Sequence, residues 1–293
     1  MKIRFVKHQK IDQKKWDKSI LGADNGKIYA ESWYLDATTS HQWDALILDD
    51  YRLVMPLPFN RKLFGFKQVY QPVLSQQLGV FGKDIGVVEI LAFLRAAKKR
   101  YIRFHQNFNS SNPITPEAIK RKNLVLNLQH PYSQIEANYH KGLRKNLRQA
   151  TAAELSMHVS RDVKAIINFY QTWVGPKAGL SPSDYQKIYL LFEEALRREK
   201  AHAYEVINAN KDVVGMGLFM QDQKCIYNVF GASSEVGRKE RAMHYMLDQI
   251  IQNHAEEAMY LDFEGSEIPG VAKFFESFGA ESIDYSSLLH KKL

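Results

Sequence analysis

One order of elements occurs twice along the chain, and that repetition constrains the fold more than any single motif does. "DALILDDYRLVMPLPF" at 44–59 reads as two apolar strands about a turn at Asp49-Asp50. "AYEVINANKDVVGMGLFM" at 203–220 reads as a second hairpin, with its turn at Asn208–Lys211. A further strand follows each hairpin, "KLFGFKQVYQP" in one case and "KCIYNVFGAS" in the other. Helical periodicity comes next, in "DIGVVEILAFLRAAKKR" and "RKERAMHYMLDQIIQNHAEE", and then a closing strand, "YIRFHQNF" or "AMYLDFEGS". Two helical stretches also precede each hairpin: "DQKKWDKSI" and "ESWYLDATTS" before the first, "DVKAIINFYQTWV" and "SPSDYQKIYLLFEEALRRE" before the second. Met55 and Leu57 stand opposite Met216 and Leu218, and Phe104–Asn107 opposite Leu261–Glu264. Corresponding elements are thus about 160 residues apart throughout, the constant interval that duplication leaves.

Hairpins followed by a strand–helix–strand crossover predict mixed sheets with helices on their faces, an α/β chain of two like domains. The expected domains are 1–132 and 133–293, the second opening on a joining helix. A last helix, "IPGVAKFFESFG", and a last strand, "AESIDYSSLLH", are expected to complete the second copy.

The 293 residues, 45% of them hydrophobic, supply enough apolar side chain for two moderate cores. Forty Lys and Arg against 32 Asp and Glu give a formal net charge of +8. That excess favours anionic partners such as phosphates, nucleic acid or an anionic membrane surface. The single cysteine, Cys225, lies in a strand-like run and leaves no internal disulfide or thiolate metal cluster to form. The histidines show no H-x-x-x-H or His/Asp ligand spacing, so no metal is expected, and neither a P-loop nor a nucleophile elbow occurs. No RNP-like aromatic motif or Lys/Arg tract supports an RNA-binding module. The N-terminus "MKIRFVKHQK" lacks a signal peptide's apolar core and no run reaches membrane-spanning length, so the expected compartment is the cytoplasm. Peripheral contact with the inner membrane stays open.

Three stretches carry candidate site residues. In "HKGLRKNLRQA", Lys141, Arg144, Lys145 and Arg148 fall at i, i+3, i+4 and i+7, on one helical face, while Leu143, Leu147 and Ala150 face a core. Like charges stacked at that spacing repel, so either a substrate phosphate or neighbouring carboxylates would relieve them. In "VYQPVLSQQLGVFG", Tyr70, Gln71, Gln76 and Gln77 either line a cleft for a peptide or sugar or fix a connecting loop. Glu264, just past a strand ending in Asp262-Phe263, either accepts a proton from an attacking amine or caps the helix starting near Ile268.

The element order, with "YHKGLRKNLRQA" at the junction and "YLDFEGS" and "GVAKFFESFGAE" near the end, resembles the Fem-type peptidyltransferases and their tandem GNAT-fold acyltransferase relatives. The resemblance implies an N-acyltransferase. Its donor would be an acyl-CoA thioester or an aminoacyl-tRNA, and its acceptor an amine, in Fem-type members a peptidoglycan precursor carrying a pyrophosphate. It implies no tightly bound cofactor, with acyl-CoA entering only as a cosubstrate, and an acceptor amine held in a cleft between the halves. It places the CoA pyrophosphate cradle at "SSEVGRKERAMHYM", where Arg238, Lys239 and Arg241 would attract phosphate. The run from Arg238 to Met243 lacks the cradle's glycines, with Gly237 just before it. Matching Gly279 to the glycine that ends the family's last helix puts Phe275 where many GNAT enzymes carry a proton-donating tyrosine. Those departures support a rival expectation, a catalytically inactive GNAT-fold protein binding a phosphate-bearing ligand. The oligomeric state is not indicated.

Overall fold

A computed structural model of the chain describes residues 2–61, 65–113 and 115–291. Residues 62–64, which open the strand expected over 62–72, lie outside the described residues. The chain folds as two compact units, Met1–Lys122 with Asp284–Leu293, and Asn123–Ile283.

The first unit begins with β1 (Ile3–Val6), α1 (Gln13–Leu21) and α2 (Ser32–Thr39). The expected hairpin follows as β2 (Trp43–Leu48) and β3 (Leu53–Arg61), paired from Trp43↔Pro58 to Leu48↔Leu53 about a turn in which Asp49 and Tyr51 are left-handed. Next come β4 (Lys67–Val69), β5 (Phe81–Gly82), α3 (Val87–Lys98), β6 (Arg103–Phe108) and β7 (Ile119–Arg121). Helix α3 buries Ile90, Phe93, Leu94 and Ala97, a stripe at helical spacing, against Leu46, Leu48, Leu53, Met55 and Leu57 of the hairpin.

The second unit opens on β8 (Leu124–Asn127), α4 (Tyr132–Ala137) and α5 (Lys141–Ala152). It then repeats the pattern: β9 (Ser156–Val159), α6 (Val163–Trp173), α7 (Gly175–Ala178) and α8 (Pro182–Arg197). Ser181 caps α8 with Pro182 at its first position, and Asp184 completes the reciprocal capping box. The hairpin is β10 (Ala201–Ile207) and β11 (Val213–Gln221), and β12 (Cys225–Ser233) follows. The Asn208 side chain holds its turn by accepting from the backbone N–H groups of Asn210 and Asp212, at 3.1 and 3.0 Å. The helix expected over 238–257 is two helices, α9 (Glu235–Glu240) and α10 (Ala242–Asn253), because Arg241 between them is left-handed at φ 67°. The remaining elements are β13 (Tyr260–Asp262), α11 (Pro269–Glu276) and β14 (Glu281–Ser282), after which β15 (Tyr285–Lys291) belongs to the first unit.

Among the described residues the first sheet runs β1-β2-β3-β4-β6-β15-β7, with β5 on β3, and the second runs β14-β8-β13-β12-β11-β10-β9. Among the described residues each sheet has one parallel pair of strands, β4 with β6 and β12 with β13, at the place where a helix crosses over between strands. The strand expected over 280–290 is divided: β14 pairs with β8 in the second sheet, whereas β15 pairs antiparallel with β6, from Ser286↔Phe108 to Lys291↔Arg103. Strand β8, which follows the first copy in sequence, pairs with β13 of the second. The two copies have therefore exchanged their closing strands. Leu288 of β15, 1% exposed, joins the first unit's core.

Truncating that side chain tests the exchange. Leu288→Ala is expected to cost about 3 kcal/mol, as for other buried leucines. Hydrogen exchange should accelerate in β6 and α3, far away in sequence, and not in the sequence-adjacent α11.

Candidate functional site

The second unit carries a break in its sheet. Strands β12 and β13 pair at Cys225↔Tyr260, Ile226↔Leu261 and Tyr227↔Asp262, and no further. Strand β12 continues for six residues bonded to β11, while β13 stops. Two things stop it. The Asp262 carboxylate, 1% exposed, accepts the backbone N–H of Glu264 at 3.0 Å and the Asn123 amide at 3.0 Å. Glu264 and Gly265 are then both left-handed, at φ 50° and 59°, and turn the chain away from β12.

Where the strands part, β12 also changes register against β11. Leu218 pairs with Phe230 and Phe219 with Asn228, so Val229 is an extra, bulged residue. A bulge kinks its strand and frees a backbone group from the ladder, the arrangement found beside many active sites. Tyr170 of α6 stacks on Phe230 at 3.7 Å between ring centroids, which fixes the strand just past the bulge.

Glu264 is half-buried and lies two residues beyond the end of β13, where its pairing with β12 has ceased. It does not cap α11, whose N-cap position is Ile268 with no side-chain cap. Phe275 of α11 is 6% exposed and stacks on Phe263 at 4.8 Å, within a cluster that also holds Phe274 and Phe278. The position is filled by aromatic packing and supplies no proton.

In the stretch from 233 to 246 the structure gives Gly237 a packing role. A Cβ there would lie 1.9 Å from the backbone oxygen of Val214, so glycine lets α9 rest directly on β11. Arg238 donates to the Ser233 carbonyl at 3.0 Å and lies 5.8 Å from the Trp173 ring centroid, and Lys239 is exposed. Arg241 sits at the start of α10, where no side chain caps the helix, and its Nε donates to Gln149 of α5 at 2.9 Å.

That bond joins two of the candidate sets. Helix α5 packs on α10 through Arg241–Gln149 and through Asn146, whose amide is 3.0 Å from Nε2 of His244. Lys145 and Arg148 are exposed on α5 within a turn of Gln149, as is Lys141 at its start. Arg144 is used differently: its guanidinium donates to the carbonyls of Glu136 and Ala137, at 3.3 and 2.7 Å, and so caps the end of α4. Burial and the nearby Arg241 charge push His244 down to about 4, leaving a neutral imidazole between the two helices. Asp248 of α10, whose carboxyl burial raises, accepts from the hydroxyls of Tyr132 and Tyr139 at 2.9 Å each and ties α4 to the same helix. Sequence reading passed over Val229, Asn146 and His244. An isolated Asn or His on an amphipathic helix carries no spacing signal, and a bulge is visible only once the strand register is known.

The polar residues of the 69–82 stretch lie in the first unit and hold the loop itself. Gln71 accepts the Asn107 N–H at 2.9 Å and donates to the Ser75 carbonyl. Gln77, 1% exposed, accepts from the Ser110 N–H at 3.1 Å and donates to the Gln76 side chain at 2.8 Å. The Gln76 carbonyl receives the Asn107 amide at 2.9 Å. Tyr70 is half-buried, and its backbone N–H donates to Pro58 at 3.1 Å.

Two variants test these assignments. Gly237→Ala forces α9 off β11 and is expected to cost more than about 2 kcal/mol in denaturant unfolding, as overpacking against fixed backbone does. His244 binds its proton more tightly in the unfolded chain, so its stabilising contribution is complete above about pH 6.5 and is lost as pH falls toward 4. Wild type should lose about 1 kcal/mol more per pH unit across that window than His244→Gln, allowing for the ring's partial access to water.

No protein-family model and no curated protein sequence matches the chain. Solved structures do match in fold. FemX superposes with a TM-score of 0.68 at 12% identity, over 98% of this chain and 97% of its own. The C-terminal domain of a putative lysylphosphatidylglycerol synthetase from Agrobacterium fabrum gives 0.54 at 12% identity, over 95% and 91%. Saccharomyces cerevisiae N-myristoyltransferase with bound myristoyl-CoA gives 0.51 at 9% identity, over 98% and 82%. The two mixed sheets and the length of these alignments give the chain the fold of FemX and N-myristoyltransferase, two tandem GNAT-like domains.

Proposed function

We propose that the protein is an N-acyltransferase whose chemistry takes place in the second unit, at the opening between β12 and β13. The parting of that parallel pair beside the Val229 bulge carries the reading. An extended acyl donor can lie against the freed edge of β12 and bond its carbonyl to backbone groups released from the ladder. The amine nitrogen of the acceptor attacks the acyl carbon, the bond to the leaving group breaks, and the amine's proton passes to Glu264, directly or through water. The leaving group takes its proton from solvent or, through water, from the Glu264 carboxyl that the amine has just protonated, since Phe275 offers none. Rate enhancement then comes mainly from positioning and from polarisation of the carbonyl.

The donor we favour is an aminoacyl-tRNA over an acyl-CoA. Gly237 is committed to helix packing, which removes the close backbone approach that a CoA pyrophosphate needs. The exposed cations Lys141, Lys145 and Arg148 of α5, with the half-buried Arg241 at the start of α10, offer instead a basic surface suited to a polyphosphate backbone. Among the described residues no helix is long and apolar enough to cross a membrane. A site that hands an aminoacyl group to a peptidoglycan precursor fits this reading, with peripheral contact at the inner membrane and the cytoplasm as its place of work.

Thermal shift and filter binding with charged tRNA, uncharged tRNA, acetyl-CoA, long-chain acyl-CoA and CoA test the assignment. Charged tRNA should raise the melting temperature and bind with a steep salt dependence, and Lys145→Glu with Arg148→Glu should reduce the log–log salt slope by about one per residue. A shift with the CoA species alone would assign the donor as a thioester. No shift with any donor would replace the enzyme with a non-catalytic binder of a phosphate-bearing ligand.

A further inference from the structure

Three side chains from separate segments of the first unit converge at the end of α2. His8 stands in the turn after β1, Asp36 on the last turn of α2, and His41 just beyond it. Nε2 of His8 is 2.8 Å from Oδ1 of Asp36, and Nδ1 of His41 is 3.3 Å from the same oxygen. The nitrogen and oxygen atoms all lie within 4.8 Å of one another. Ser40 and His41 are both left-handed, at φ 52° and 60°, and the His41 N–H returns to the Asp36 carbonyl at 3.1 Å, which folds His41 back over the carboxylate.

Hydrogen bonding alone accounts poorly for this convergence. Oδ1 of Asp36 already accepts the indole N–H of Trp43 at 2.7 Å, and an indole can only donate. A carboxylate oxygen has about two lone-pair sites, yet three nitrogens crowd this one. A cation removes the excess, because both imidazoles can then turn lone pairs toward it. Donors about 2.1 Å from a shared tetrahedral centre stand about 3.4 Å apart, close to the 3.3 Å between His41 and Asp36, while the 2.8 Å between His8 and Asp36 would widen by about 0.6 Å on binding. Outer-shell support is already in place. Trp43 holds Oδ1, Gln13 donates to Oδ2 at 3.2 Å, and the His8 ring packs edge-on to Trp43 at 5.3 Å. The His8 and Asp36 side chains are 20% and 17% exposed, while His41 is 69% exposed, so water can complete the coordination on its side.

We propose that His8, Asp36 and His41 bind a divalent first-row transition metal of the zinc class, which clips the segment after β1 to the end of α2. Two imidazoles and one carboxylate favour such an ion over magnesium or calcium, which take oxygen ligands.

Isothermal titration of the tag-free, chelator-treated full chain with zinc chloride tests the site, with cobalt chloride and Trp fluorescence as an independent probe. The wild type should bind one zinc ion and melt at a higher temperature with it. His41→Ala and His8→Gln should each weaken binding by more than about 100-fold, beyond the loss of an outer-shell partner. Circular dichroism of both variants should match the wild type, and His41→Ala, at an exposed position, keeps the test valid if His8→Gln unfolds. Absence of zinc binding by the wild type, or unchanged affinity in His41→Ala, overturns the proposal.

Discussion

Parallel strands hold together only as long as both keep a β course, and in the second unit one of them is made to leave. The Asp262 carboxylate collects the Glu264 N–H and the Asn123 amide, and two successive left-handed residues follow. Strand β13 therefore ends after three pairings, and six residues of β12 are left with a neighbour on one side only. Much of the second unit is arranged around that departure. The bulge at Val229 falls at the parting, Tyr170 and Phe192 pack on Phe230 beyond it, and the aromatic cluster of α11 covers Phe263 on the departing chain. A freed edge inside a sheet is unstable unless something occupies or protects it, which is why such a place suits a ligand better than it suits a core.

Within each unit, candidate residues divide into those that hold the fold and those left exposed. Arg144 looks in sequence like its neighbours Lys141, Lys145 and Arg148, but its guanidinium is spent on the carbonyls at the end of α4. Gly237 looks like a remnant of a phosphate cradle, but it exists because Val214 O would meet any side chain placed there. Gln71 and Gln77 fasten their own loop to the backbone at Asn107 and Ser110. The cations left exposed on α5, with Arg241 bonded to the same helix, form a smaller and better-defined set than composition suggested.

The duplicated order of elements was legible because hairpins and amphipathic helices leave periodic traces within a dozen residues, as the α3 stripe and the Ser181-Pro182 start of α8 do. What was not legible is long-range pairing. "AESIDYSSLLH" reads as one strand, and nothing local says that Glu281–Ser282 and Tyr285–Lys291 enter different sheets. The helix break at Arg241 escaped for a related reason, since no glycine or proline marks it and the left-handed residue is an arginine. His8, Asp36 and His41 were invisible to motif spacing because two of the three are separated from each other by α1 and a long connection.

The traded closing strands have a consequence for how the polypeptide is made. A ribosome emits β6 well before β15, the strand that completes its hydrogen bonding. Until β15 emerges, the edge from Arg103 to Phe108 stays open, a template for unwanted pairing while the second repeat is being translated. Strand β8 waits in a similar way for β13. Neither repeat completes its sheet from its own stretch of sequence, so the nascent chain cannot mature one repeat at a time.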